Sequence, residues 1–226
     1  MITDQSAQFY AKSASNHDRI YDKPERQHDL AEMRAKLAEV VRGHTVLELA
    51  CGTGFWSAVM AQTAASVLAT DINPEMLALA KLRAMPADKV ALRQLDAWDL
   101  PADLAEAGAH GPAHAPFTAV FIGFWWSHVK REEQERFLSL LRARLGKDLL
   151  LVLLDDAYVD GASPTVARTD LNGNTYHIHP TADGSRYEIT KNYPSDSALR
   201  KKMASSVREI KIARLEYYWL LSCRLK

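Results

Sequence analysis

Short apolar runs alternate with helical patterns through the first two thirds of the chain. Buried-strand patterns predict β-strands over about 45–50, 67–71, 89–95, 117–123 and 149–156. Between and around them, apolar residues at three- and four-residue spacing predict helices over about 27–41, 54–65, 73–83 and 131–145. Strands that alternate with helices in this way favour an α/β fold with a parallel sheet.

After residue 156 the pattern changes to paired strands. The runs 174–180 and 185–193 flank Ala182-Asp183-Gly184, which predicts a β-hairpin. A helix is expected over about 195–205. The last two strands, 207–215 and 217–225, are joined by a turn too short for a crossover helix, so they should pair antiparallel.

These elements predict a Rossmann-like, doubly wound α/β fold. We expect a mostly parallel seven-stranded sheet with an antiparallel edge strand, an N-terminal helical lid and a β-hairpin insertion. The segment 101–116 is rich in Ala, Gly and Pro and predicts a short helix and a loop. A single domain is expected over 1–226, divided into a lid (1–43), a ligand-binding core (44–155), the hairpin insertion (156–194) and a C-terminal helix and strand pair (195–226).

Composition narrows the class of partner. The 226 residues include 28 basic and 28 acidic residues without a Lys/Arg block, which disfavours a nucleic-acid partner. The polar N-terminus does not resemble a signal peptide, and no apolar run is long enough to span a membrane. The two cysteines suggest neither a disulfide framework nor a metal site. We expect a cytoplasmic protein, a monomer or homodimer, that acts on a small molecule without a membrane or metal.

The sequence ELACGTG, residues 48–54, is the most informative motif. It follows a predicted strand and precedes a helix, as in folds that hold nucleotide-like ligands against bare backbone. Asp71 ends the next strand, where its carboxylate could accept hydrogen bonds from a ribose diol. Alternatively, Asp71 caps the helix that begins at Asn73-Pro74.

The details of this turn separate two ligands. A dinucleotide site needs a third glycine, but Phe55 stands at that position, and Glu48 would repel a pyrophosphate. No Gly-Lys-Ser/Thr follows, which excludes a P-loop. A cationic sulfonium ligand with an ammonium group suits the same acidic turn better.

ELACGTG, then Asp71-Ile72, then LDAWDLP at 95–101 resemble the cofactor segments of class I S-adenosylmethionine-dependent methyltransferases. The resemblance covers roughly 40–155. Ala50 replaces the first glycine of the family pattern, so we expect a small backbone adjustment there. The resemblance implies S-adenosyl-L-methionine as cofactor, with Asp96 at the adenine amine unless it is only a loop acid. The cofactor-binding residues it implies are Tyr21, Glu48, Ala50, Gly52, Gly54, Asp71, Ile72, Asp96, Ala97 and Gly123.

Candidate catalytic residues follow the fourth strand and lie in the lid. His128 is the nearest candidate base, with packing at a helix entry as the alternative. In enzymes that this chain resembles, a lid aromatic often closes over the sulfonium or substrate, which points to Tyr10 and Tyr21. The predicted substrate-binding residues are Tyr10, Phe124, Trp125, Trp126 and Tyr176, although at least one tryptophan should pack in the core.

The leading hypothesis is methyl transfer to oxygen or nitrogen of a small molecule, with S-adenosylhomocysteine as product. Two alternatives keep the cofactor: a reaction that releases methylthioadenosine, by cyclisation or alkyl transfer, and methylation of a protein. A non-catalytic binding module is a further reading, which the intact glycine turn, Asp71 and Asp96 disfavour.

Overall fold

The architecture comes from a computed structural model, which describes residues 4–102, 104, 116–181 and 183–226. Seven strands form the main sheet in the order β3-β2-β1-β4-β5-β10-β9. Their bounds are β1 (Thr45–Leu49), β2 (Ser66–Asp71), β3 (Val90–Gln94), β4 (Ala119–Gly123), β5 (Leu150–Asp156), β9 (Val207–Arg214) and β10 (Tyr218–Leu225).

Strands β1 to β5 run parallel, as predicted, and β10 runs antiparallel to β5 and to β9. The expected antiparallel strand is confirmed as β10. It lies next to the edge of the sheet, and β9 forms the edge itself. The strand order reverses direction between β1 and β4, and ligands of open α/β sheets bind beyond the carboxyl ends of the strands at such a point.

Helices cover both faces of this sheet. They are α1 (Asp4–Ser13), α2 (Gln27–Val40), α3 (Phe55–Met60), α4 (Pro74–Leu82), α5 (Gln134–Leu145) and α6 (Asp196–Met203). Two apolar clusters fill the space between sheet and helices, one on each face. Leu37 of α2 and Phe137 of α5 belong to opposite clusters, and neither has exposed surface. Within the described ranges, no helix combines the length and apolar character needed to cross a bilayer.

A second, smaller sheet stands above the first. It contains β6 (Arg168–Thr169), β7 (Thr175–Pro180) and β8 (Arg186–Thr190), which are antiparallel. The predicted hairpin is β7–β8, whereas β6 was not predicted because a two-residue strand leaves no periodicity to detect. Helix α1 packs against β8. The lid continues through short 3₁₀ segments, Ala14–Asp22 and Pro24–Arg26.

Most element boundaries differ little from expectation, but α3 is shorter than predicted. It ends at Met60 and passes through Ala61 into a turn, rather than continuing to residue 65. The backbone N–H of Ala65 is held by the carbonyl of His44 at 2.9 Å, which starts β2 instead of another helical turn. Most of the helix and loop predicted over 101–116 lies outside the described residues.

Candidate functional site

A cavity of about 740 Å³ opens beyond the carboxyl ends of β1, β2 and β4. The glycine turn forms its floor, the lid covers it from one side, and β7 and the segment that follows β8 wall the far end. This volume lies within the range of about 300–1,000 Å³ that small-molecule sites occupy. Predicted site residues that line it are Tyr10, Tyr21, Ala50, Gly52, Asp71, Ile72, Asp96, Ala97, Gly123, Phe124, Trp125 and His128.

The turn after β1 brings bare backbone to the cavity. Ala50, Gly52 and Gly54 all have left-handed backbone conformations, with φ of 56°, 56° and 75°. A side chain at Gly54 would bring its Cβ within 3.2 Å of Ala80 Cβ on α4, so glycine allows the turn to pack closely there. Ala50 adopts the left-handed conformation that glycine takes most easily, and the small backbone adjustment expected there stays a prediction. Gly54 itself is not among the cavity-lining residues.

Asp71 orders this turn from the end of β2. Its carboxylate accepts the backbone N–H of Gly52 at 2.8 Å and that of Asn73 at 2.8 Å. The second bond holds Asn73, the residue that precedes α4, so the capping of that helix by Asp71 stays a prediction. A carboxylate has about four lone-pair sites, so Asp71 keeps capacity to accept a hydrogen bond from a ligand hydroxyl. Burial raises the pKa of Asp71, and the backbone donors oppose that rise because they stabilise the charged form.

Residues after β3 form a second wall. The Asp96 carboxylate accepts the backbone N–H of Trp98 at 2.9 Å, which fixes the loop that carries Ala97. Trp98 lies under the guanidinium of Arg136, 5.3 Å from the ring centre. Ile72, Ala97 and Trp98 line this part of the cavity beside the Asp96 carboxylate, and the part lined by Ile72 and Ala97 is called the slot below.

Glu48 lies beneath the turn and not on the cavity surface. It is 2% exposed, and the Ser57 hydroxyl of α3 donates to its carboxylate. Burial raises the pKa of Glu48 to about 8, an effect that Ser57 opposes and the nearby Asp71 carboxylate increases. Glu48 therefore joins β1 to α3. The direct contact with a ligand ammonium that the sequence suggested stays a prediction.

The aromatic run after β4 divides between cavity and core. Phe124, with φ of 55°, and Trp125 line the cavity, whereas Trp126 is buried beside Phe137 and does not. This confirms that one of the two tryptophans packs in the core. At Gly123 a Cβ would lie 3.1 Å from the Phe121 ring, so the strand end has little room for a side chain.

Tyr10 and His128 meet at the far end of the cavity. The Tyr10 hydroxyl lies 2.8 Å from His128 Nε2, and His128 Nδ1 bonds to the carbonyl oxygen of Thr190. A carbonyl only accepts, so Nδ1 carries the proton and the Nε2 lone pair faces Tyr10. Burial, reinforced by the positive charge of Lys191, lowers the pKa of His128 to about 3. Burial raises the pKa of Tyr10 to about 12, so both groups are neutral near pH 7.

Four charged side chains surround this pair. Lys191 Nζ lies 2.9 Å from Asp155 Oδ1 and 2.9 Å from Asp156 Oδ2, and Arg26 reaches Asp156 at 3.2 Å. Asp155 has no exposed surface and also accepts the backbone N–H and hydroxyl of Ser127. Burial alone would lower the pKa of Lys191, but the two aspartates outweigh it and raise that pKa. Lys191 is therefore positively charged near pH 7.

Tyr21 closes the cavity from the lid. Its ring stacks on Phe55 with centroids 3.9 Å apart, and its hydroxyl accepts the indole N–H of Trp56 at 3.0 Å. Burial raises the pKa of this hydroxyl. Tyr21 lines the cavity, and its catalytic and cofactor-binding roles stay predictions.

Tyr176 points away from the cavity. Its hydroxyl donates to Asp170 at 2.8 Å, and the Arg168 guanidinium lies 3.7 Å above its ring. Its neighbour His177 lines the cavity instead, because successive residues of a strand face opposite sides. Lys191, Arg26 and His179 line the cavity but were not predicted from the sequence, whereas His177 was one of the hairpin residues expected there. For His179 the available signal was the His-x-His spacing, which places it on the same strand face as His177.

Potential metal ligands do not cluster: no group of three or more His, Cys, Asp or Glu side chains in the described ranges could hold an ion. Burial raises the pKa of the Cys51 thiol, which keeps it protonated in the turn.

Comparisons with known proteins agree with this geometry. A family model described as a methyltransferase domain matches residues 46–148. Demethylmenaquinone methyltransferase from Clavibacter sepedonicus is 41% identical over 63 residues. That alignment covers 28% of this chain and spans about a quarter (26%) of the relative's length.

Solved structures share the fold over nearly the whole chain. DhpI in complex with SAH, and in a complex with SAM and HEP, each align with a TM-score of 0.74 and 22% identity. The alignments cover 98% and 99% of this chain and 96% and 97% of DhpI. A SAM-dependent methyltransferase from Aquifex aeolicus aligns with a TM-score of 0.59 and 15% identity, covering 93% of this chain and 98% of its own.

Proposed function

Since the chain contains a methyltransferase domain with the class I, Rossmann-like fold, we propose that it transfers a methyl group from S-adenosylmethionine to an oxygen or nitrogen of a small molecule. The product would be S-adenosylhomocysteine. The observation that carries the proposal is one continuous cavity with the Asp71 carboxylate near one end and a hydrogen-bonded Tyr10–His128 pair at the other.

The residues present fit the cofactor. The left-handed turn at Ala50 and Gly52 exposes backbone where an amino-acid end would lie, and Asp71 keeps capacity to accept a hydrogen bond from a ribose hydroxyl. The slot between Ile72 and Ala97, bordered by Asp96, accepts adenine. When bound, S-adenosylmethionine supplies a methyl group attached to a cationic sulfur. After transfer of the methyl group, the sulfur is left as a neutral thioether.

The chain's own residues would position the acceptor and take its proton. With Nδ1 held by Thr190, His128 presents a lone pair to Tyr10, and Tyr10 can receive a hydrogen bond from an acceptor hydroxyl. An acceptor oxygen that bonds to the methyl group becomes positively charged and releases its proton readily. His128, although a weak base with a pKa of about 3, is therefore sufficient to accept that proton through Tyr10.

Enclosure favours a small acceptor over a protein. The lid segment Ala14–Asp22, the helix α1, the strand β7 and the segment after β8 all border the cavity, and Phe9 of α1 contacts Tyr187 of β8 where the lid meets the small sheet. Walls on several sides limit the contact of the cavity with bulk water, which strengthens the electrostatic interactions inside it. A protein substrate would need an open groove in the same place.

Calorimetry with S-adenosylhomocysteine tests the proposal. We expect micromolar binding to the wild type and about 10- to 100-fold weaker binding to Asp71→Asn, because a hydrogen bond to a charged group is lost. Asp88→Asn makes the same chemical change at an exposed position away from the cavity and should bind as the wild type does. Absence of binding to the wild type would contradict the proposal.

The nucleoside product distinguishes the two reactions that use this cofactor. With an accepted substrate, mass spectrometry should show S-adenosylhomocysteine. Methylthioadenosine in its place would show that the aminobutyryl carbon, not the methyl group, is attacked.

A further inference from the structure

One face of the small sheet carries polar side chains into the cavity. His177 and His179 of β7 alternate with Tyr176 and Ile178, so both face the same side, and both line the cavity. Lys191 follows β8, where its backbone N–H bonds to the carbonyl of Thr175 at 2.9 Å. This register places Lys191 on the same face as His177, as a diagonal cross-strand neighbour.

His177 has hydrogen-bonding capacity that the protein leaves unused. It is 1% exposed, and neither of its ring nitrogens makes a hydrogen bond of good distance and angle with the described residues, although the backbone of Thr165 lies close enough to affect its pKa. Burial lowers the pKa of His177, helped by the nearby His179 and Lys191 and opposed by the backbone of Thr165, so the ring is neutral near pH 7. A buried polar group without a partner costs free energy, and a ligand that supplies the partner recovers it.

Two cationic side chains at this end of the cavity, Lys191 and Arg26, also have N–H groups available to a ligand. The ammonium of Lys191 has three N–H groups, of which its contacts with Asp155 and Asp156 use two. Arg26 Nε has no partner in the part of the chain that the structure describes, although its other nitrogen reaches Asp156. The unused groups at this end are thus mainly donors, which suits a ligand group with several acceptor oxygens.

From this placement, which rests on the proposed function, we propose that the methyl acceptor is bifunctional. Its nucleophile lies at Tyr10–His128, and a second group, a carboxylate-type oxyanion, binds to His177 and Lys191 on the face of the small sheet. Hydrogen bonds from a charged donor to an oxyanion are stronger than neutral ones, so Lys191 provides affinity and His177 provides orientation. The acceptors that this site selects are therefore small hydroxy or amino compounds that carry an acidic group.

The test uses the full chain saturated with S-adenosylhomocysteine, with acetate as the oxyanion probe and acetamide as its neutral counterpart. In protein with ¹⁵N-labelled histidine, acetate should shift the ring-nitrogen resonances of His177 saturably, and acetamide should bind at least about tenfold more weakly. His177→Phe should weaken acetate binding about tenfold or more and leave S-adenosylhomocysteine binding unchanged. His28→Phe, at an exposed position on α2, is the matched control.

The outcomes separate the two proposals. If S-adenosylhomocysteine binds but acetate leaves the His177 resonances unchanged, or acetamide binds as tightly as acetate, the subsite is overturned and the methyltransferase proposal stands. If S-adenosylhomocysteine does not bind, the methyltransferase proposal fails. The wild-type resonances decide the matter even if His177→Phe does not fold.

Discussion

Ala50 stands at the point where the backbone turns from β1 into the cavity, and its φ of 56° is a conformation that glycine adopts more easily. A non-glycine residue held in this region costs about 1–2 kcal/mol. We expect Ala50→Gly to raise the free energy of unfolding by up to about 1 kcal/mol, because the larger conformational entropy of glycine in the unfolded chain offsets part of the relief. Urea denaturation measures this, and a destabilised variant would show that the methyl group makes needed contacts.

His128 gives the protein a specific pH dependence. Its pKa falls from 6.5 in the unfolded chain to about 3 in the fold, so the unfolded state binds more protons between these values. The stability from neutral, buried His128 is therefore complete above about pH 6.5 and is lost as pH falls, by about 1.4 kcal/mol per pH unit. Between about pH 6 and 4.5, the free energy of unfolding should fall with pH less steeply in His128→Asn than in the wild type. The two slopes should differ by about 1.4 kcal/mol per pH unit. Equal slopes would contradict the burial of a neutral imidazole.

The position of a residue relative to a strand decides whether its place in the site could be predicted. Asp71, Asp96 and His128 lie at or after the ends of parallel strands, and the carboxyl edge of a parallel sheet brings such positions together whatever the details of packing. Tyr176 instead faces Arg168 and Asp170, because its neighbour His177 takes the cavity side of β7. Which face of an inserted hairpin turns inward depends on how it docks on the lid, and the sequence of the hairpin does not contain that information.

At the scale of elements, a polar contact joins the lid to the glycine turn after β1. The Asp18 carboxylate accepts the Thr53 hydroxyl at 2.5 Å and the Arg83 guanidinium, while Arg83 Nε donates to the Thr53 carbonyl at 3.0 Å. Three elements therefore meet here: the 3₁₀ segment of the lid, the glycine turn and the end of α4. His17 of the same segment lies 3.6 Å from the place where a Gly52 Cβ would be.

We expect Asp18→Asn and Arg83→Met to speed release of S-adenosylhomocysteine about two- to fivefold, because a partly exposed ion pair contributes at most about 1 kcal/mol. Stopped-flow tryptophan fluorescence should detect it, since Trp98 and Trp125 line the cavity. Glu32→Gln breaks a comparable pair with Lys36 on α2 and is the control. If the release rate rises equally in Glu32→Gln, or does not rise in Asp18→Asn and Arg83→Met, the contact has no role in retaining the ligand.

Across the whole molecule, the cavity is built from parts far apart in sequence: the lid, the turn after β1, the loop after β3 and the small sheet. The parallel pairing of β1 to β5 could be predicted from continuous apolar runs such as 150–154, because such runs are typical of strands buried on both faces. The charge network of Arg26, Asp156 and Lys191 was not predicted, because no local spacing relates a lid residue to residues 130 and more positions away.

Because these parts share one cavity, a bound cofactor should order all of them together. At about 100 times its Kd, S-adenosylhomocysteine should stabilise the protein by about 2.7 kcal/mol. Hydrogen exchange should slow in the lid segment Ala14–Asp22 as well as in the turn around Gly52. Protection confined to the turn would show that the lid does not take part in binding.

A crystal structure with S-adenosylhomocysteine tests the central claim most directly. We predict the ribose hydroxyls on Asp71, the adenine in the slot between Ile72 and Ala97, and the sulfur directed toward Tyr10 and His128 with open space between them. A ligand in the reverse orientation, or a sulfur directed away from that pair, would contradict the account.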